Sequence, residues 1–210
     1  MGRRRRQRRV PRPIEPIVRH DAPRLLTTPA APVVPVFDLD GTLLDSDAAL
    51  VAPFVALGIS PDQITFGHTL ADECQRLGIT VEDYLGRYDD GLALPFQGVE
   101  ALVARLDRWA ICSNKHPRGG RAELARLGWT PDVVMFADSF DGPKQLGPVL
   151  DAMGLGPDEV IFVGDTDHDR RCAREIGCDF ALAGWNPRAS AVAGDLVLRR
   201  PLDLLDLLGS

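Results

Sequence analysis

No apolar run in this 210-residue chain approaches the roughly 20 residues that a membrane-spanning helix needs, so a helical membrane protein is excluded. Lysine is nearly missing: Lys115 and Lys144 are the only two. Cysteine is sparse, and Cys74, Cys112, Cys172 and Cys178 form no C-x-x-C pair, which argues against a zinc ribbon or a dithiol redox centre. The four are expected as reduced thiols of a cytoplasmic protein. No internal repeat is present. The run "RRRRQRR" near the start resembles part of an export signal, but "VPRPIEPIVRHDAPR" follows it where an apolar segment would be needed, so export is not expected.

A hydrophobic fraction of 45% is that of an ordinary globular protein, and the length suits one core with a small appended unit. The net charge of -6 conceals an asymmetry. Residues 1–30 hold nine arginines against Glu15 and Asp21, net +7, so the rest of the chain carries -13. Residues 1–32 also contain six prolines, a composition that cannot bury a core, and are expected to be a disordered Arg/Pro-rich arm. Such an arm has the charge to hold nucleic acid or an anionic membrane surface by counterion release. An extension without a selected partner is the favoured reading.

From Val33 onward short β-branched runs alternate with helix-length segments: "VVPVFDL", "RWAICS", "DVVMFA", "EVIFVG", "DFALA" and "DLVL". This alternation predicts an α/β fold, a Rossmann-like parallel sheet core wrapped by helices. Pro35 cannot donate a ladder hydrogen bond, so the first strand is expected to start effectively at Val36. Between Asp45 and Gln97 the strand signal lapses, and "DAALVAPFVALG", "TLADECQRLGI" and "TVEDYLGRYDDGL" read as amphipathic helices. The expected organisation is a core over residues 33–45 and 98–210, with a small all-helical cap, residues 46–97, inserted after the first strand. "RPLDLLDLLGS" reads as a closing helix. The stretch Asp45 to Gln97 has nine acids against Arg76 and Arg87; acids facing the cleft would disfavour highly anionic substrates.

"VFDLDGT" raises the chemical question. Asp38 and Asp40 are separated by one residue, which in an extended strand places both carboxylates on one face. Two such groups held close and buried require a cation or a proton between them. Other predicted strands end in chemistry too. "AICSNK" ends in Ser113 and Asn114, small hydrogen-bonding groups suited to a phosphate oxygen. "DGPKQLGPVL" puts Lys144 just before a helix, where its charge can neutralise an oxyanion. "VIFVGDTDHD" ends in Asp165, with Asp169 four residues on. Ends of neighbouring parallel strands are close in space, so these groups can converge on one pocket. Clustered carboxylate oxygens without Cys or His ligands suit Mg²⁺, which keeps water and substrate phosphate in its remaining positions.

In order, "DLDGT", "CSNK", Lys144 and "GDTDHD" resemble the four motifs of the haloacid-dehalogenase-like (HAD) superfamily of phosphotransferases, over Val36 to about Trp185. The resemblance implies that Asp38 attacks phosphorus and becomes a phosphoaspartate, while Asp40 protonates the leaving oxygen and later activates water. It implies that Ser113, Asn114 and Lys144 hold the phosphoryl group. Asp38, the backbone carbonyl of Asp40, and Asp165 would ligate Mg²⁺, with Asp169 ligating it or orienting its waters. A carboxylic acid at Asp40 favours phosphoryl transfer over dehalogenation, since a halide needs no protonation. A Schiff-base phosphonate cleavage is excluded because neither lysine lies in the cap. The motifs look most like the phosphoglycolate phosphatase group, acting on a small phosphorylated metabolite. The alternatives are a sugar phosphomutase of the same superfamily, and a protein tethered to nucleic acid by its basic arm.

Around the pocket, His116 and His168 read as hydrogen-bonding spacers and His68 as a residue of a cap loop facing the site. Asp167 reads as a helix cap. Trp185 reads as a packing residue, and Asn186, where the superfamily often has glycine, as a residue tolerant of a left-handed backbone.

Overall fold

The computed structural model describes residues 33–65 and 69–208. The arm expected over residues 1–32, and His68, lie outside the described residues. In chain order the elements are β1 (Val34–Phe37), β2 (Leu44–Asp45), α1 (Asp47–Ala56), α2 (Leu70–Leu77), α3 (Val81–Leu85), β3 (Leu94–Pro95), α4 (Val99–Val103), β4 (Ala110–Cys112), α5 (Pro117–Leu127) and β5 (Val133–Met135). They continue as α6 (Leu146–Met153), β6 (Val160–Gly164), α7 (Asp167–Ile176), β7 (Asp179–Ala183), β8 (Leu196–Leu198) and α8 (Leu205–Leu208). Six strands form one sheet in the order β5-β4-β1-β6-β7-β8, parallel at every pairing.

All six apolar runs become strands of this sheet because both of its faces are covered. Along β1, Val34 and Val36 pack into one cluster with Phe162, Val149 and Leu150, while Phe37 joins Ile111, Val163 and Leu102 on the other side. Helices α6 and α7 cover the first face, and α4, α5 and α8 the second. Burial on both sides is why these strands read as continuous apolar runs without a polar alternation. The chain leaves β1 for β4 and β5 on one side, then crosses to β6, β7 and β8 on the other. Winding reverses at β1, and the crevice outside the carboxyl ends at such a reversal is where open α/β sheets bind ligands.

Pro35 lies inside β1, paired with Ile161 of β6, so the strand begins at Val34 and not at Val36. The reason is the direction of its nitrogen. Asp38 N donates to Val163 O across to β6, at 2.9 Å, so by alternation the nitrogens of Val36 and Val34 also face β6 while that of Pro35 faces β4. The β4 ladder opens only at Val36, opposite Ala110, and the proline therefore interrupts no bond.

Between β2 and β3, which pair antiparallel through Leu44 with Pro95 and Asp45 with Leu94, the chain builds the helices α1 to α3. Phe54, Ile64, Cys74 and Tyr84 form a small core of their own there, each buried aromatic stabilising it by about 1.5–3 kcal/mol. Thr69 and Thr80 cap α2 and α3 by accepting the backbone N–H of Asp72 and Asp83. The third expected helix is shorter than its pattern, ending at Leu85 and giving way to a turn at Asp90–Leu92. The closing segment is likewise divided between a 3₁₀ turn, Pro201–Leu204, and α8. None of the helices described is long and apolar enough to cross a membrane.

Candidate active site

Strand β1 ends at Phe37, but Asp38 N still donates to Val163 O at 2.9 Å, and with Leu39 buried between them Asp38 and Asp40 face one side, as the alternation implied. A tight turn follows at once. The carbonyl of Leu39, a fully buried side chain, accepts the N–H of Leu43 at 3.0 Å and of Leu44 at 2.9 Å. Gly41 takes φ +78° at the turn, and any side chain there would overlap the Asp165 carboxylate. Leu39 thus points into the core while Asp38 and Asp40 open on a common pocket.

Strand β4 delivers Ser113 and Asn114 to the same pocket. Ser113 Oγ accepts from Lys115 N at 3.3 Å, and Asn114 Oδ1 accepts from Lys144 N at 2.7 Å, fastening the Lys144 loop to the end of β4. Lys144 Nζ is 3% exposed and lies 2.9 Å from Asp38 Oδ1 and 2.6 Å from Asp169 Oδ1. Strand β6 ends at Gly164 and Asp165, and Gly164 has no space for a side chain because Asp169 lies against it. Thr166 caps α7, and Asp169 Oδ2 accepts back from Thr166 N at 2.9 Å and from Thr166 Oγ1 at 2.6 Å. Asp167, expected as the cap, instead pairs with Arg170, because the helix begins one residue earlier in register than the cap reading required.

Asp38, Asp165 and Asp169 are all buried, with carboxylate oxygens within 4.8 Å of one another. Burial raises the pKa of Asp38 to about 6 despite the pull of Lys144. Burial also raises that of Asp165 to about 7, reinforced by the charges of Asp38 and Asp169. Asp169 is equally buried, but Lys144 outweighs the burial and holds it below the usual carboxylate range. Three acids thus face a single ammonium, an excess of two negative charges that matches a divalent cation. The all-oxygen donor set fits a hard ion as well. Asp169 does not line the pocket; its oxygens are spent on Thr166 and Lys144.

Several participants are not visible in the sequence pattern. Asn186 donates to Asp165 Oδ2 at 2.9 Å and to Gly41 O at 2.8 Å, and Thr42 Oγ1 donates to Asp165 Oδ1 at 3.1 Å. Asn186 therefore serves as a buried donor; among the described residues no non-glycine has a positive φ. Trp185 Nε1 donates to Thr42 O at 2.8 Å, adding a polar anchor to its packing role. Lys115, the second lysine, is 3% exposed and pairs with Asp40 Oδ1 at 2.6 Å and with Glu123 Oε1 at 3.0 Å. Burial lowers its basicity, but the two carboxylates outweigh this and raise its pKa above the usual lysine value. Its rarity in the sequence was the available signal; Glu123 sits in an ordinary helical pattern and gave none.

The opposite wall comes from the helical insertion: Leu50, Leu70, Tyr84 and Tyr88, with Thr65 and Glu73. Glu73 is the one insertion acid among the described pocket residues, and Arg76 neutralises it at 2.6 Å. His116 and His168 both border the pocket; His116 caps α5 by accepting Arg118 N through Nδ1 at 3.3 Å.

A family model described as haloacid dehalogenase-like hydrolase matches residues 35–183. Among curated proteins, the phosphoglycolate phosphatase of Synechococcus elongatus is 30% identical over 81% of this chain and 94% of its own length. The N-acetylmuramic acid 6-phosphate phosphatase of Pseudomonas aeruginosa is 24% identical over 82% and 93%, and the pyrophosphatase PpaX of Halalkalibacterium halodurans 27% over 83% and 95%. Among solved structures, a HAD-superfamily hydrolase of Geobacter sulfurreducens superposes with a TM-score of 0.66 at 24% identity, over 84% of this chain and 100% of that one. An L-2-haloacid dehalogenase superposes at 0.59 with 20% identity, over 86% and 100%, so the fold by itself does not choose the reaction.

Proposed function

The chain belongs to the haloacid dehalogenase-like hydrolases, and from that membership we propose that it is a Mg²⁺-dependent phosphatase that hydrolyses a small phosphomonoester through an aspartyl-phosphate at Asp38. The observation that carries this reading is the buried cluster of Asp38, Asp165 and Asp169 against the single charge of Lys144, at the carboxyl ends of β1 and β6. Asp38, Asp165 and the backbone carbonyl of Asp40 would hold the ion, and Asp169, whose oxygens are already engaged, would orient its shell. Bound there, Mg²⁺ supplies positive charge to the phosphoryl oxygens.

The chain's own groups account for the remaining steps. Lys144 holds Asp38 ionised and aimed, and with Ser113 it receives the phosphoryl oxygens. An Asp38 carboxylate oxygen attacks phosphorus as the ester P–O bond breaks, and the proton of the Asp40 carboxyl passes to the leaving oxygen. Asp40 then takes a proton from water, whose oxygen attacks the phosphoaspartate; inorganic phosphate leaves and the Asp38 carboxylate is restored. Asp40 separates this chemistry from dehalogenation, whose leaving halide needs no proton. In this reading residues 46–97 are the cap that closes over the substrate and excludes bulk water, and the phosphoglycolate phosphatase group supplies the first candidate substrate.

The test is phosphate release from 2-phosphoglycolate, N-acetylmuramic acid 6-phosphate, pyrophosphate and p-nitrophenyl phosphate, with Mg²⁺ or with EDTA. Turnover that requires Mg²⁺ and disappears in Asp38→Asn is expected. Isomerised product without free phosphate would identify a mutase, and no turnover of any member would overturn the reading.

A further inference from the structure

Resting on the phosphatase reading above, the inference concerns a buried chain of polar groups beside Asp40 that the chemistry so far does not use. Lys115 Nζ sits 2.6 Å from Asp40 Oδ1 and 3.0 Å from Glu123 Oε1, and the same ammonium lies over the Tyr88 ring at 5.3 Å from its centroid. Glu123, fully buried on α5, accepts in turn from the Tyr88 hydroxyl. Tyr88 comes from the helical insertion, in the segment after α3, and stacks on Tyr84 with ring centroids 6.0 Å apart. Gly119 leaves room for the crossing: a Cβ there would lie 3.2 Å from the Tyr88 ring and 3.5 Å from Lys115 Cε.

Burying an ammonium and a carboxylate costs desolvation that their attraction seldom more than repays, so such a pair is weak evidence for a purely stabilising role. What the pair does accomplish is geometric. Asp40 carries a half-buried carboxylate at the pocket, 21% accessible as a side chain, and among the described residues Lys115 is the one side chain that grips it. With Oδ1 held, the rotation of the carboxyl is restricted and Oδ2 is left to face the leaving group or the attacking water.

We propose that Lys115 is a positioning residue for Asp40, held in place by Glu123, and that the Tyr88 hydroxyl extends this hold to the helical insertion, so that the acid–base group is seated when the insertion is docked on the core. General acid–base catalysis depends on placement within hydrogen-bond reach of the proton transferred, and a carboxyl free to rotate loses that placement without losing its chemistry.

Two esters that differ in their need for protonation separate positioning from folding. p-Nitrophenyl phosphate releases a phenolate stable without a proton, whereas phenyl phosphate releases a poorer leaving group. Their kcat/KM values, measured on the full chain with Mg²⁺, report transfer onto Asp38. Wild-type turnover of p-nitrophenyl phosphate establishes the phosphatase itself, independently of Lys115. Lys115→Met is then expected to lower kcat/KM for phenyl phosphate by about a hundredfold, the lower end of what an acid catalyst contributes, and for p-nitrophenyl phosphate by less than about fivefold. Tyr88→Phe, which removes one hydroxyl and preserves the ring packing, is expected to shift the ratio of the two in the same direction by about threefold or more. It decides the matter if Lys115→Met does not fold. Equal losses on both esters, or no loss in a folded variant, would overturn the assignment.

Discussion

Lys144 is the residue on which the charge balance of the site turns. Its ammonium touches two of three buried carboxylates, and removing one partner of a buried pair leaves the others uncompensated. Lys144→Met is expected to cost about 3–5 kcal/mol by chemical denaturation near neutral pH, and to reduce phosphate release at least a hundredfold, within the range set by loss of one oxyanion-stabilising group. Asn186 acts at one remove. Asn186→Ala withdraws the buried donor from Asp165 and from the Gly41 carbonyl, and is expected to weaken apparent Mg²⁺ affinity about 10- to 100-fold, as loss of a ligand-supporting partner does. Titration of activity with Mg²⁺ reads this; an unchanged midpoint would place Asp165 outside the ion's shell. These two residues also mark the limit of legibility. Lys144 stands out because a lone lysine before a helix in an otherwise lysine-poor chain is visible in one dimension. Asn186 looked like a substitute for glycine because its value depends on a contact with Asp165, 21 residues away, that only the folded sheet creates. Lys115 escaped assignment for the same reason, its partner Asp40 lying 75 residues earlier.

At the scale of elements, the six strands were legible because the sheet is covered on both faces: β1, β4 and β6 are buried at every position and spell unbroken apolar runs, and the flanking strands, though partly exposed, keep the same apolar composition. Strands β2 and β3 were not, since two residues each carry no period, and Pro95 would ordinarily argue against a strand. Pro35 misled in the opposite direction. Its ring is harmless only because the β4 ladder starts one residue later, a fact of register that composition does not encode. Helix α5 offers a test of how closely an element is fitted to the sheet. Gly120 is buried against the Phe136 ring, and a Cβ at that position would overlap the ring. Alanine is the better helix former by about 1 kcal/mol, but Phe136 is itself buried and has nowhere to retreat. Gly120→Ala is therefore expected to destabilise the chain by about 1–3 kcal/mol through overpacking, with KM unaltered; a gain in the denaturation midpoint would show that the ring can move.

For the whole molecule, the decisive quantity is the proton inventory of its buried acids. Asp38 and Asp165 have folded pKa values of about 6 and about 7 against 3.8 when unfolded, and Glu123, raised by burial, about 7 against 4.5. Each group therefore holds its proton in the folded state over a range where the unfolded chain has released it. Where the unfolded state binds fewer protons, stability falls as pH rises, and here the fall spans about pH 4 to 7. Burial lowers the pKa of His116 and His168, which acts in the opposite sense, but the three acids outnumber them, so without metal the chain is expected to be more stable near pH 5 than near pH 7.5, by a few kcal/mol at most given that the three groups share one neighbourhood. A divalent cation bound by Asp38 and Asp165 favours their ionised forms and binds only the folded chain, so it raises stability most where those forms dominate. Thermal melts in EDTA and in Mg²⁺ at both values check this. The expected result is a rise on adding Mg²⁺ that is large at pH 7.5 and small at pH 5, and that is lost in Asp38→Asn. Equal melts with and without the ion at pH 7.5 would mean that the two excess negative charges of the cluster are neutralised by protons alone, and the phosphoryl group would then have only Lys144 and Ser113 to meet it.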